Sequence, residues 1–153
     1  MIAIIQRVKR AKVSVEDKVC GECGDGFMVL LGILQGDTED EAEILAAKIS
    51  NLRIICDENE KMNLSLLDTK GEVLVISNFT LSADTKKGNR PSFIAAAAPD
   101  EAERLYELFC EKLRKNGVSR VETGEFGADM QIDMTADGPV TITLNTDTWK
   151  RSK

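Results

Sequence analysis

Apolar positions along the chain follow two periods. Residues 1–8 are rich in β-branched side chains, Lys12-Val13-Ser14-Val15 alternates, and 27–34 is an unbroken apolar run suited to a buried strand. Gly24-Asp25-Gly26 reads as the turn that precedes that run. The period then changes. Thr38 with Glu41 three residues on makes a capping box, the surrounding acids suit a helix start, and Ala42, Leu45, Ala46, Ile49 and Leu52 fall on one helical face. A second helix is expected from Pro99 to Asn116-Gly117, with Ala102, Leu105, Tyr106, Phe109 and Leu113 inward. Between the helices, 72–79 reads as a buried strand; after them, 118–123, 130–135 and 140–144 read as three more. This order predicts an α+β fold in one domain over residues 1–153, its sheets largely antiparallel, twisted and barrel-like, with two main helices.

Composition adds limits. The chain has 153 residues, enough to remove roughly 70% of its unfolded surface from water as one core. No apolar run approaches the ~20 residues of a membrane helix, and the short apolar start has no signal-peptide cleavage site, so a cytoplasmic protein with no membrane partner is expected. A net charge of −6 argues against bulk affinity for nucleic acid, yet bases gather at Arg7, Lys9, Arg10 and Lys12, at Lys86, Lys87 and Arg90, and at Lys150, Arg151 and Lys153. Of four cysteines, Cys20 and Cys23 have metal-knuckle spacing without a second pair, which favours packing or incidental thiols. There is no histidine. That excludes Ser-His-Asp and Cys-His catalysis and His-ligated zinc, and the reading calls for no metal and no cofactor.

Three segments exceed what local structure requires. Ser77-Asn78-Phe79-Thr80-Leu81 ends an apolar strand, where polar residues alone would announce a turn. Lys86-Lys87-Gly88-Asn89-Arg90-Pro91-Ser92-Phe93 is a surface loop by composition, with bases able to meet phosphates and Phe93 able to anchor it. Asp137-Gly138-Pro139-Val140-Thr141 reads locally as a turn between strands.

Together with Gln6-Arg7-Val8, Met62-Asn63-Leu64-Ser65-Leu66 and Gly124-Glu125-Phe126-Gly127-Ala128-Asp129-Met130, these segments stand in an order and spacing that resembles the bacterial D-aminoacyl-tRNA deacylases over essentially the whole chain. Two positions differ from the family pattern: Asn78 replaces Gln, and Ala136-Asp137-Gly138-Pro139 replaces Asn-x-Gly-Pro. The resemblance implies an ester hydrolase acting on aminoacyl-tRNA, with Ser77, Asn78, Phe79 and Thr80 as the catalytic segment. In it, backbone amides near Phe79 and Thr80 hold the ester carbonyl and the substrate 2′-hydroxyl assists water. It further implies a homodimer in which Gly138-Pro139, cis-linked, braced by Arg7 and accompanied by Met130, reaches the partner's site as a chiral filter. Lys86, Lys87 and Arg90 are the expected tRNA contacts. The alternatives are a non-catalytic tRNA-binding homologue and a deacylase of shifted specificity.

Overall fold

A computed structural model describes residues 1–150; the expected basic residues Arg151 and Lys153 lie outside the described residues. The chain begins with a long strand, β1 (Ile2–Val15), followed by β2 (Lys18–Cys23) and β3 (Gly26–Gly32). Helix α1 (Glu39–Asn51) leads to the short pair β4 (Ile55–Cys56) and β5 (Met62–Leu64), then the one-turn helix α2 (Leu66–Thr69) and β6 (Glu72–Ser77). Helix α3 (Pro99–Lys115), β7 (Arg120–Thr123) and the long β8 (Gln131–Asn145) complete the order.

The main sheet runs β2-β1-β3-β6-β7, with β8 on the other edge of β1. Pairs made by β1 are antiparallel, whereas β3–β6 and β6–β7 are parallel. Strong twist brings β2 back toward β7, where the Glu22 amide donates to the Glu122 carboxylate at 2.9 Å, so the sheet is nearly closed. The expected α+β architecture with two main helices is the one observed.

Two strand boundaries differ from expectation. Residues 1–8 and 12–15 belong to one strand, because pairing with β8 resumes beyond the exposed Lys9 and Arg10 after a register shift between Val8 and Arg10. Likewise 130–135 and 140–144 merge into β8, and the Gly-Pro segment is an excursion within it. Pairing steps from Val8–Ala136 to Gln6–Thr141, so four residues, 137–140, bulge opposite the single residue Arg7.

Alternate residues of the strands explain the core. Ala3 and Ile5 of β1, Phe27, Val29 and Leu31 of β3, and Val73 and Val75 of β6 pack against Leu45, Ile49, Leu105 and Phe109 of the two helices. Helix α1 starts where its capping box dictates: the Thr38 side chain caps the first turn, and Glu41 accepts from the Thr38 amide at 2.6 Å. The opposite sheet face carries a smaller cluster of Val8, Ala11, Val13, Met28, Leu74 and Ile76. On that face Ile132 and Met134 pair with Val13 and Ala11, yet stay 39% and 42% exposed. No helix of the described residues is long and apolar enough to cross a membrane.

Candidate functional site

The parallel strand β6 ends at Ser77, and the chain turns at once into a 3₁₀ segment, Phe79–Ser82. Asn78 caps this turn. Its Oδ1 accepts the Thr80 amide at 3.2 Å and also the Thr80 hydroxyl, while the Asn78 backbone N–H donates to Leu31 O at 2.8 Å. One side-chain oxygen therefore commits both donors of Thr80. The Phe79 amide, at the first position of the turn, has no acceptor among the described residues. Gly32 allows the turn to lie against β3: a Cβ there would stand 2.9 Å from Leu81 Cβ and 3.1 Å from Asn78 O.

Phe79 is 60% exposed and meets Phe93 edge to face, ring centroids 5.3 Å apart. The intervening basic loop is closed by reciprocal backbone bonds between Asp84 and Ser92, at 2.8 and 2.9 Å. Lys86, Lys87 and Arg90 are thereby held on an exposed loop whose base touches the capped turn. The catalytic and tRNA-binding candidates thus adjoin.

The Gly138-Pro139 segment has its own support. Arg7, only 9% exposed, donates from Nε to Asp137 O at 3.1 Å and from Nη1 to Ile54 O at 2.8 Å, with Cys56 Sγ 3.5 Å away. The Asp137 carboxylate lies 3.3 Å from Arg7 Nε and 3.7 Å from Lys9 Nζ. On the other stem of the bulge, the Thr141 hydroxyl donates to Gln6 Oε1 at 3.0 Å. The Gly138–Pro139 peptide is cis, and Gly138 has φ +130°. A Cβ on Gly138 would stand 2.8 Å from Val140 N and 3.3 Å from Arg7 Nη2, so glycine is the residue that fits. A cleft of about 590 Å³ opens beside Arg7, lined among others by Lys9, Cys56, Lys70 and Asp137.

These two groups do not meet within one chain. Arg7 pairs with Phe27, which is level with Val73, whereas Ser77 is level with Leu31. Four residues of strand separate the levels, roughly 13 Å along the strand direction alone. Met130 is not beside Gly138 either: it is partly buried against the cluster of Val8, Val13, Met28 and Ile76, with its sulfur packed over Gly124.

Sequence reasoning missed Ile54 O and Cys56 as supports of Arg7, because a backbone carbonyl leaves no residue signature. It also missed the capping role of Asn78, which an Asn two residues before a Thr could have suggested. Of the thiols, Cys20 and Cys56 are exposed and Cys23 and Cys110 buried. Burial, reinforced by the Glu72 carboxylate, pushes the Cys23 thiol up to about 11, and burial pushes Cys110 to about 12, so neither is a ready nucleophile.

Known proteins agree on the kind of molecule this is. The D-Tyr-tRNA(Tyr) deacylase family model matches residues 4–145. A D-aminoacyl-tRNA deacylase of Idiomarina loihiensis is 52% identical over 144 residues, 94% of this chain and 99% of the relative. One of Bacillus velezensis is 54% identical over 145 residues, 95% and 98% of the two chains. Among solved structures, the c-Myc DNA Unwinding Element Binding Protein aligns with TM-score 0.89 and 43% identity, covering 95% of this chain and 98% of the other. A protein described as a probable eukaryotic D-amino acid tRNA deacylase shares the fold, with TM-score 0.81 at 21% identity over 94% and 97% of the chains.

Proposed function

The chain belongs to the D-Tyr-tRNA(Tyr) deacylase family, and from that premise we propose that it hydrolyses the ester linking a D-amino acid to tRNA, releasing free amino acid and tRNA. The observation that carries the reading is the capped turn at Asn78–Thr80 set directly beside the Lys86–Arg90 loop. An aminoacyl ester is already activated, so its hydrolysis needs a positioned carbonyl and a stabilised oxyanion more than a strong nucleophile. The open Phe79 amide supplies a donor for that oxyanion. Thr80, its hydroxyl engaged by Asn78, positions rather than attacks. The substrate 2′-hydroxyl serves the water in place of the absent histidine, and basic side chains hold the RNA end by its phosphates.

The chiral part of the reading assigns Gly138-Pro139 to the site of a second copy. Arg7 braces the bulge, but Phe79 of the same chain is too distant to share a substrate with it. A twofold homodimer, in which each bulge approaches the partner's capped turn, brings the two halves together. The half-exposed Ile132 and Met134 offer apolar surface for such pairing. A filter that works by excluding the L side chain has nothing to exclude in glycine, so D-aminoacyl- and glycyl-tRNA are both substrates and L-aminoacyl-tRNA is spared.

Turnover of matched D-Tyr-, L-Tyr- and glycyl-tRNA by the purified protein tests the activity, and equilibrium sedimentation tests the dimer. Absence of any ester hydrolysis, with tRNA still bound, would favour a nucleic-acid-binding role, the reading that similarity to the c-Myc DNA Unwinding Element Binding Protein leaves as second. A monomer that cleaves D-Tyr-tRNA and spares L-Tyr-tRNA would refute the cross-subunit filter.

A further inference from the structure

The bulge of β8 is held by more than the Arg7–carbonyl contact. Asp137 presents two acceptors to one arginine: its backbone oxygen lies 3.1 Å from Arg7 Nε and its carboxylate oxygen 3.3 Å from the same nitrogen. Lys9, two residues along β1, places its ammonium 3.7 Å from that carboxylate and 3.9 Å from Asp25. Arg7 is nearly buried, so the charge it offers Asp137 is poorly screened, whereas Lys9 is 59% exposed and contributes a weaker, solvent-facing contact. The neighbouring position, Ala136, has no polar side chain with which to steady the bulge. The Arg7 bond to the Asp137 carbonyl and the ionic contacts of the Asp137 carboxylate together fix the first residue of the loop.

We propose that Asp137 and Lys9 are positioning residues for chiral discrimination: the Asp137 carboxylate, held between Arg7 and Lys9, sets how far Gly138 and Pro139 project. This rests on the filter reading of the bulge. Exclusion of an L side chain depends on a wall that does not yield, and a bulge of four residues opposite one is the part of the strand pairing with fewest ladder bonds. A looser bulge should admit L substrates while leaving the hydrolytic turn at Asn78–Thr80 unchanged. The predicted signature is a change in selectivity rather than in rate.

The test measures kcat/KM of the full-length protein for D-Tyr- and L-Tyr-tRNA, both esters on the same tRNA so that phosphate contacts cancel in the ratio. Asp137→Asn should lower the D/L ratio about tenfold, as expected when a charge-assisted contact loses its charge but keeps an oxygen. Lys9→Met should lower it about three- to fivefold, within the range of an exposed ion pair. In both, the change should arise from faster L hydrolysis with D hydrolysis nearly intact, and Lys9→Arg should restore the parent ratio. The double variant should be no worse than Asp137→Asn alone, because both changes remove one network. An unchanged ratio in Asp137→Asn and Lys9→Met, or parallel loss of D and L hydrolysis, would overturn the proposal. Should Asp137→Asn fail to fold, the exposed Lys9 variants still decide. A parent enzyme that cleaves L-Tyr-tRNA as fast as D-Tyr-tRNA would instead overturn the filter reading on which the proposal stands.

Discussion

Phe79 and Phe93 meet edge to face, at an interplanar angle of 77°, and this contact joins the capped turn to the base of the basic loop. Residues 14 apart in sequence thereby place a candidate oxyanion donor and a candidate phosphate-binding loop in one rigid unit. Aromatic pairs of this geometry contribute about 0.5–1.5 kcal/mol beyond their buried area. Phe93→Ala should therefore raise KM for aminoacyl-tRNA more than it lowers kcat, and should lower unfolding stability by about 1–3 kcal/mol, given the partial exposure of the ring. Steady-state kinetics and urea denaturation check both.

Replacing Lys86, Lys87 and Arg90 together with Ala should weaken tRNA binding and flatten its salt dependence. Each lost phosphate contact removes about 0.9 units of log–log slope on a duplex and about 0.7 on a single strand. The measurement is binding of uncharged tRNA across a salt series. An unchanged slope would move the RNA face to the Lys9–Lys12 cluster.

Gly138→Ala should damage the filter without unfolding the sheet. The added methyl overlaps Val140 N, and alanine is strained at φ +130°. The expected outcome is a folded protein melting a few degrees below the parent, with a D/L ratio at least about tenfold lower, or with no activity if the displaced bulge blocks the site. Full activity with full selectivity would make the segment a mere irregularity of β8.

Glu41 supplies a pH dependence. Acceptance of the Thr38 hydroxyl holds its carboxyl down to about 2, below the ordinary value of 4.5. A carboxylate depressed in the folded state stabilises above its unfolded pKa, and that stabilisation is lost as pH falls toward 2. Glu41→Gln should be less stable than the parent near neutrality and should lose less stability between pH 4.5 and 2. Thermal melts at several pH values read this directly.

Alkylation offers a check on the thiols. Iodoacetamide at pH 8 should modify Cys20 and Cys56 in the folded protein and spare Cys23 and Cys110, whose burial opposes thiolate formation; denaturation should expose all four. Mass spectrometry of the labelled chain counts them.

Elements with punctuation were legible from the sequence. Thr38 and Glu41 mark the start of α1, Pro99 marks that of α3, and the apolar runs at 27–34 and 72–79 give the buried centre of the sheet. Continuity of the long strands was not. Lys9-Arg10 looks like a break, but β1 pairs with β8 on both sides of it, and the exposed charges sit at a register shift between Val8 and Arg10. Gly138-Pro139 looks like the end of a strand, but β8 pairs with β1 on both sides of the bulge, in a shifted register. The candidate residues stand out as motifs, whereas their grouping into two separate halves needed the strand register.

The pairing of β1 with β8 has a kinetic consequence. Gln6 and Thr141 touch across 135 positions, whereas Ile5 finds Val29 in β3 from only 24 away. Joining the more distant pair costs about 1.5 kcal/mol more loop-closure entropy. Contacts of such long sequence separation slow folding and form late. In pulse-labelling hydrogen exchange during refolding, amides of β3 and β6 should gain protection first and those of β8 last. A chain caught midway would carry the turn proposed to hydrolyse the ester before it carried the loop proposed to tell one hand of an amino acid from the other.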